Sequence, residues 1–121
     1  MQLKITATQT IGQVKDAFHK LLPFVKIEFF HHAHSQGEGS PKADMIRGDV
    51  RIADLIEGHD QGTIEFNESN LVYELEEKLQ NYFGLNVQIF RKSGKLWLES
   101  TISDNWTLEK VRKEAEEFES I

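Results

Sequence analysis

Hydrophobic positions along the chain change period several times, and each change marks an element. Leu3 and Ile5 alternate with Lys4 and Thr6, the period-two signature of a short strand. Ile11, Val14, Phe18, Leu21 and Leu22 then recur at helical spacing behind Thr10, whose hydroxyl suits an N-cap, until Pro23 stops the helix. Strand spacing resumes at Val25, Ile27 and Phe29, with Lys26 and Glu28 between them, which completes a β-α-β unit. The stretch from His31 to Gly48 carries little periodicity, although Ser40 as N-cap, Pro41 at the first position and Gly48 as a stop bracket one or two helical turns. Val50 and Ile52 predict a short strand, and Gly58-His59-Asp60-Gln61-Gly62 a turn into another strand at Ile64 and Phe66. Val72, Leu75, Leu79 and Phe83 form an amphipathic stripe ended by Gly84. A last helix follows Asn105 or Thr107, with Leu108, Val111, Ala115 and Phe118 as a narrow stripe, and Trp106 is expected to tuck its indole under it.

Between those helices lies the clearest local signal. Val87 to Arg91 and Leu96 to Ile102 alternate on either side of Lys92-Ser93-Gly94-Lys95, and a two-residue Ser93-Gly94 turn predicts a hairpin. Counting outward sets Lys92 opposite Lys95, Arg91 opposite Leu96, Phe90 opposite Trp97, Ile89 opposite Leu98, Gln88 opposite Glu99 and Val87 opposite Ser100. Opposed residues share a face, so Val87, Ile89, Leu96, Leu98 and Ile102 form the expected core side. Phe90 and Trp97 lie on the other side as a cross-strand pair. Either the last helix covers them with Leu108, Val111 and Phe118, or they form an exposed anchor of the kind that marks binding sites.

The elements sum to a two-layer α+β sandwich in the order β-α-β-β-β-α-β-β-α, one domain over residues 1–121, with a largely antiparallel sheet and the first two helices on its apolar side. Lys4, Lys26, Glu28, Phe90 and Trp97 are assigned to the open face. At an offset of 61, Ile11 matches Val72, Val14 matches Leu75, Phe18 matches Leu79, Leu22 matches Phe83 and Pro23 matches Gly84. That likeness raises a β-α-β-β duplication beside the plainer reading, two helices that need the same stripe before a strand.

Composition narrows the function classes. A chain of 121 residues with 39% hydrophobic and 28% charged residues is an ordinary globular sequence. Without cysteine there is no disulfide scaffold, thiolate zinc site or cysteine nucleophile, which agrees with a reducing compartment. The opening MQLKITATQT lacks a basic region followed by an apolar run, and no segment approaches the ~18 apolar residues of a membrane span, so a cytoplasmic location with no membrane partner is expected. The net charge of −6 concentrates on Glu74, Glu76 and Glu77 in one predicted helix and Glu109, Glu114, Glu116, Glu117 and Glu119 in another, read as solvated faces; duplex nucleic acid is not an expected partner. The local exception is the cationic hairpin tip at Arg91, Lys92 and Lys95.

Candidate chemistry is sparse. His31, His32 and His34, with Glu38 and Asp44 downstream, offer imidazole and carboxylate ligands, but consecutive histidines cannot easily converge on one ion. Gly37-Glu38-Gly39-Ser40-Pro41-Lys42 lacks the lysine-before-hydroxyl spacing of a phosphate loop. Asp104 with a histidine, or Glu99 at the hairpin mouth, are the carboxylates to weigh for catalysis, and no nucleophile, base and orienting group share a spacing. Ser103-Asp104-Asn105-Trp106-Thr107 reads as a turn and helix cap. No cofactor and no catalytic or metal residue is assigned.

The segment FGLNVQIFRKSGKLWLESTISDNWTL, Phe83 to Leu108, resembles a group of small uncharacterised bacterial proteins with a phenylalanine-glycine-leucine, an arginine-lysine-serine-glycine turn and a tryptophan-threonine-leucine helix start; Lys26 to Phe30 is similar more faintly. The resemblance implies a free-standing bacterial domain and no activity. The expected function is a non-enzymatic binding or interaction module that uses Phe90, Trp97, Arg91, Lys92 and Lys95 toward an unknown protein partner or a second copy. The competing class is a small enzyme or metal-dependent protein built on the His31 to Asp44 loop.

Overall fold

In the computed structural model, which describes residues 1–35, 37–99 and 105–119, eight elements follow in order. They are β1 (Gln2–Thr6), α1 (Ile11–Leu21), β2 (Val25–Phe30), β3 (Gln61–Glu65), α2 (Val72–Phe83), β4 (Asn86–Ser93), β5 (Leu96–Glu99) and α3 (Leu108–Glu119). The chain is an α+β sandwich, with its antiparallel strands divided between two sheets, β1-β3 and β2-β4-β5.

Local chemistry sets the helix ends. The Thr10 hydroxyl accepts the Gln13 N–H while the Gln13 side chain accepts the Thr10 N–H, a reciprocal box that bonds donors the helix itself leaves free. At the end of α2, Gly84 turns left-handed at φ 71°, and a Cβ there would stand 2.8 Å from the Glu57 Cβ, so both backbone and space call for glycine. Thr107 caps α3, its hydroxyl accepting the Lys110 N–H.

Two expected elements take other forms. Val50 and Ile52 make no strand, because their backbone is engaged with the entry to α1: the Val50 carbonyl accepts the Ile11 N–H at 2.9 Å and the Ile52 N–H donates to the Gln9 carbonyl at 2.8 Å. Ile52 then opens a short 3₁₀ turn, Ile52–Asp54, and still fills the core. The helix bracketed by Ser40 and Gly48 contracts to the 3₁₀ turn Lys42–Asp44. Met45 leaves it extended, and Ile46 donates to the Phe29 carbonyl at 2.8 Å, which fastens this connection along the outer edge of β2.

One core serves both sheets. Leu3, Ile5 and Ile64 from the first, Val25, Ile27, Phe29, Val87 and Ile89 from the second, Ile11, Val14 and Phe18 of α1, the stripe of α2, and Leu108 and Val111 of α3 are buried together. The expected placement of α1 and α2 on the apolar side holds, and α3 joins them there against β4 and β2.

Strand pairing joins the two halves of the chain. β1 pairs with β3, setting Leu3 opposite Ile64, and β2 pairs with β4, setting Ile27 opposite Ile89. The units β1-α1-β2 and β3-α2-β4 therefore embrace each other, each strand of one paired with its counterpart in the other.

Candidate interaction surface

The hairpin forms with its turn one residue later than expected. Gly94 and Lys95 make the two-residue loop, Gly94 at φ 61° supplying the positive φ at the first central position of a hairpin turn. Ser93 consequently faces Leu96, Lys92 faces Trp97, Arg91 faces Leu98 and Phe90 faces Glu99. A slip of two in register keeps every side chain on its expected face and changes every partner. Trp97 therefore opposes Lys92 and lies diagonal to Phe90. The expected continuation through Ser100 and Ile102, and Ser103-Asp104, lie outside the described residues.

Burial reverses the expected roles of the two faces at the hairpin. Phe90, assigned to the open side, is only 7% exposed, while Leu96 and Leu98, assigned to the core side, are 66% and 40% exposed. The aperiodic connection lies over the Phe90 face: the Gln88 side-chain amide donates to the Glu38 carbonyl at 2.8 Å and the Ser40 hydroxyl at 3.1 Å, and the Ser40 N–H donates to Glu99 Oε2 at 3.2 Å. Lys26 lays its ammonium 5.5 Å from the Phe90 ring centre and 4.9 Å from that of Trp97, with the His19 ring edge-on to Trp97. Glu28 on the same side is buried too, held by Lys15 at 2.7 Å and Lys26 at 3.2 Å. No open sheet face carries Lys26, Glu28, Phe90 and Trp97 together, and Lys4 belongs to the other sheet.

The opposite face is short of cover for a geometric reason. A helix about 10 Å across spans roughly two strands spaced about 4.8 Å apart, and α3 packs chiefly on β4 and β2, while Leu96 and Leu98 of β5 stay exposed. Phe118, the last apolar residue of the α3 stripe, is 52% exposed and comes within 3.3 Å of where a Gly94 side chain would begin. Among the described residues five large hydrophobic side chains are exposed, and three of them, Leu96, Leu98 and Phe118, gather around this one hairpin.

The cationic tip is divided. Arg91 lies on the Leu98 face with its guanidinium 5.5 Å from the Trp106 ring centre, and Lys110 covers that indole at 3.9 Å, so Trp106 packs half-buried at the start of α3 as expected. Lys92 shares the Phe90 face opposite Trp97, and Lys95 stands exposed in the turn.

The three histidines separate. His31 is exposed. His32 pairs with Asp44, Nδ1 to Oδ1 at 2.7 Å. Partial desolvation raises the Asp44 carboxyl, but the hydrogen bonds from the His32 ring and backbone and the charges of His32 and His31 outweigh it, and Asp44 stays below its ordinary range. His34 turns inward instead, donating from Nε2 to the Val87 carbonyl at 2.8 Å and lying 3.9 Å from Glu76 Oε2. Glu76, expected on a solvated face, is buried and accepts the Ile89 N–H at 3.3 Å. These two side chains bond β4 backbone groups that point away from β2, beyond the reach of Glu99 in β5. A cavity of about 280 Å³ opens beside them, walled by Tyr73, Gln80 and Asn86. Position 76 falls on the stripe Val72, Leu75, Leu79, Phe83, so a carboxylate in the core was readable from spacing alone.

Among the described residues no three His, Asp or Glu side chains gather as a metal would need, and no helix is long and apolar enough to cross a membrane. No protein-family model, curated protein or solved structure matches the chain.

Proposed function

We propose that the chain is a non-enzymatic interaction module whose contact surface is the β4-β5 hairpin, centred on Leu96, Leu98 and Phe118, with Trp97 and Lys95 at its edge. The observation that carries this reading is the convergence of three exposed large hydrophobic residues on one hairpin, where the other described large apolar residues are nearly all covered. Exposed apolar clusters on an otherwise charged surface mark contact sites, because their burial is the main gain available to association. Phe90 supports that surface from beneath as part of the packing, and Arg91 braces it through Trp106.

A test follows from the exposure. Immobilised wild-type chain should hold a partner, or a second copy, that the Leu96→Glu variant releases, with circular dichroism unchanged between the two. Undiminished capture by a folded Leu96→Glu variant would remove this surface from consideration.

One observation favours the competing class, a small enzyme or metal-dependent protein of the His31 to Asp44 loop: His34 and Glu76 approach to 3.9 Å beside a cavity. Turnover that is lost in His34→Ala and kept in Leu96→Glu would transfer the function there.

A further inference from the structure

We propose that the partner is a second copy of this chain, joined along β5 in an antiparallel two-fold edge pairing that fuses two three-stranded sheets into one of six strands. The inference rests on the interaction-module reading and names its partner.

β5 ends the sheet order β2-β4-β5, and no described strand lies on its outer side. The other outer strand, β2, is already fastened: its Phe29 carbonyl accepts the Ile46 N–H and its neighbour His31 donates to the Asp44 carbonyl at 3.1 Å. In β5 the hydrogen-bonding phase follows from the hairpin. Ser93 and Leu96 flank the two-residue turn, so they exchange backbone hydrogen bonds, and alternation turns the N–H and C=O groups of Trp97 and Glu99 outward.

A two-fold axis through Trp97 satisfies three requirements together. Backbone phase is the first: Lys95, Trp97 and Glu99 alternate in step, so Trp97 meets Trp97 of the second copy and Lys95 meets its Glu99, outward groups against outward groups. The second is facing, for Leu96 then opposes Leu98 of the second copy. The four leucines form one apolar stripe on the side that carries both α3 helices, each with an exposed Phe118 near its end. Charge is the third, since Lys95 and Glu99 stand at opposite ends of the strand and an antiparallel partner crosses them into two opposite-charge pairs. Shifting the register by one residue sets outward groups against inward ones and leucines against tryptophan. A shift of two sets Lys95 or Glu99 against Trp97 and loses both ion pairs. An edge lysine ordinarily discourages strand addition. Here Glu99, four residues along the same edge, supplies the charge that answers it in a copy and in no arbitrary strand.

The experiment uses sedimentation velocity on the wild-type chain and on charge reversals. The wild type should sediment as a dimer at micromolar concentration. Lys95→Glu and Glu99→Lys should each raise the dissociation constant roughly tenfold or more, because each turns two attractive pairs into like-charge pairs. Mixed one to one, the two variants should recover the dimer, since the doubly acidic edge of one then faces the doubly basic edge of the other. That recovery separates the pairing between copies from the bond within one copy in which Glu99 accepts the Ser40 N–H. The sequence has no cysteine, so Trp97→Cys supplies an independent register test: paired residues about 5.5 Å apart suit a disulfide, and oxidation should link the dimer, whereas Leu96→Cys should not link. A dimer indifferent to both reversals and not linked through residue 97 overturns the pairing. A wild type that stays monomeric overturns it too; if Leu96-dependent capture of another protein persists, the interaction-module reading survives alone, and if capture is absent both fall.

Discussion

At the scale of single residues, alternation assigns a side chain to a face, and it is silent on what lies over that face. Phe90 and Leu96 illustrate the difference. Their faces were legible in the sequence, but the segment bonded over the Phe90 face is the aperiodic run after His31, whose lack of pattern gave no sign of which side it would cover. Phe90→Ala should therefore cost about 3 to 5 kcal/mol in denaturant unfolding, and Leu96→Ala about 0.5 kcal/mol or less, since 66% of Leu96 is already in water. Equal costs would restore the sequence-based assignment. Glu76 gives a second contrast. Glu76→Ala strands the buried Ile89 N–H and should cost about 1 to 3 kcal/mol, whereas Glu77→Ala, on the exposed side of the same helix, should stay within about 0.5 kcal/mol. Matching losses in the two variants would mean that the Glu76 hydrogen bond does not hold β4.

At the scale of elements, ends were more legible than edges. Thr10, Gly84 and Thr107 announce helix boundaries because capping depends on neighbours within a turn. Val50 and Ile52 carried strand spacing without a strand, because pairing needs a partner edge and the nearest backbone belongs to the start of α1. The hairpin turn moved by one residue since Ser93-Gly94 and Gly94-Lys95 both place glycine in the loop, and only the second gives it the first central position. The clamp on α3 was not legible, for it depends on a residue 44 positions away: Arg112 Nε and Nη2 grip the two Glu68 oxygens at 2.7 and 3.0 Å. The Arg112 hydrogen bonds, helped by its charge, pull the Glu68 carboxyl below its ordinary value of 4.5 against a desolvation that raises it. A carboxyl depressed on folding stabilises fully above its unfolded value and loses that contribution as pH falls through the folded value. The melting temperature of the wild type should thus drop on acidification below pH 4.5 more steeply than that of Glu68→Gln, and parallel curves would show that the clamp adds nothing.

At the scale of the whole molecule, the α+β class and the resemblance between halves were readable because both rest on stripe spacing. The division into two sheets was not, since partner choice among strands of similar pattern is settled only by packing. The embrace of the two β-α-β units also dictates timing. Strand partners sit roughly sixty residues apart, and synthesis at about 5 to 20 residues per second leaves Leu3, Ile5, Val25, Ile27 and Phe29 without their sheet partners for roughly 3 to 12 seconds. A fragment ending at residue 60 should accordingly show no cooperative unfolding transition, and one that melted sharply would mean the first unit folds by itself. Until β4 emerges, the first half exposes strands whose apolar faces are buried only in the finished sheets.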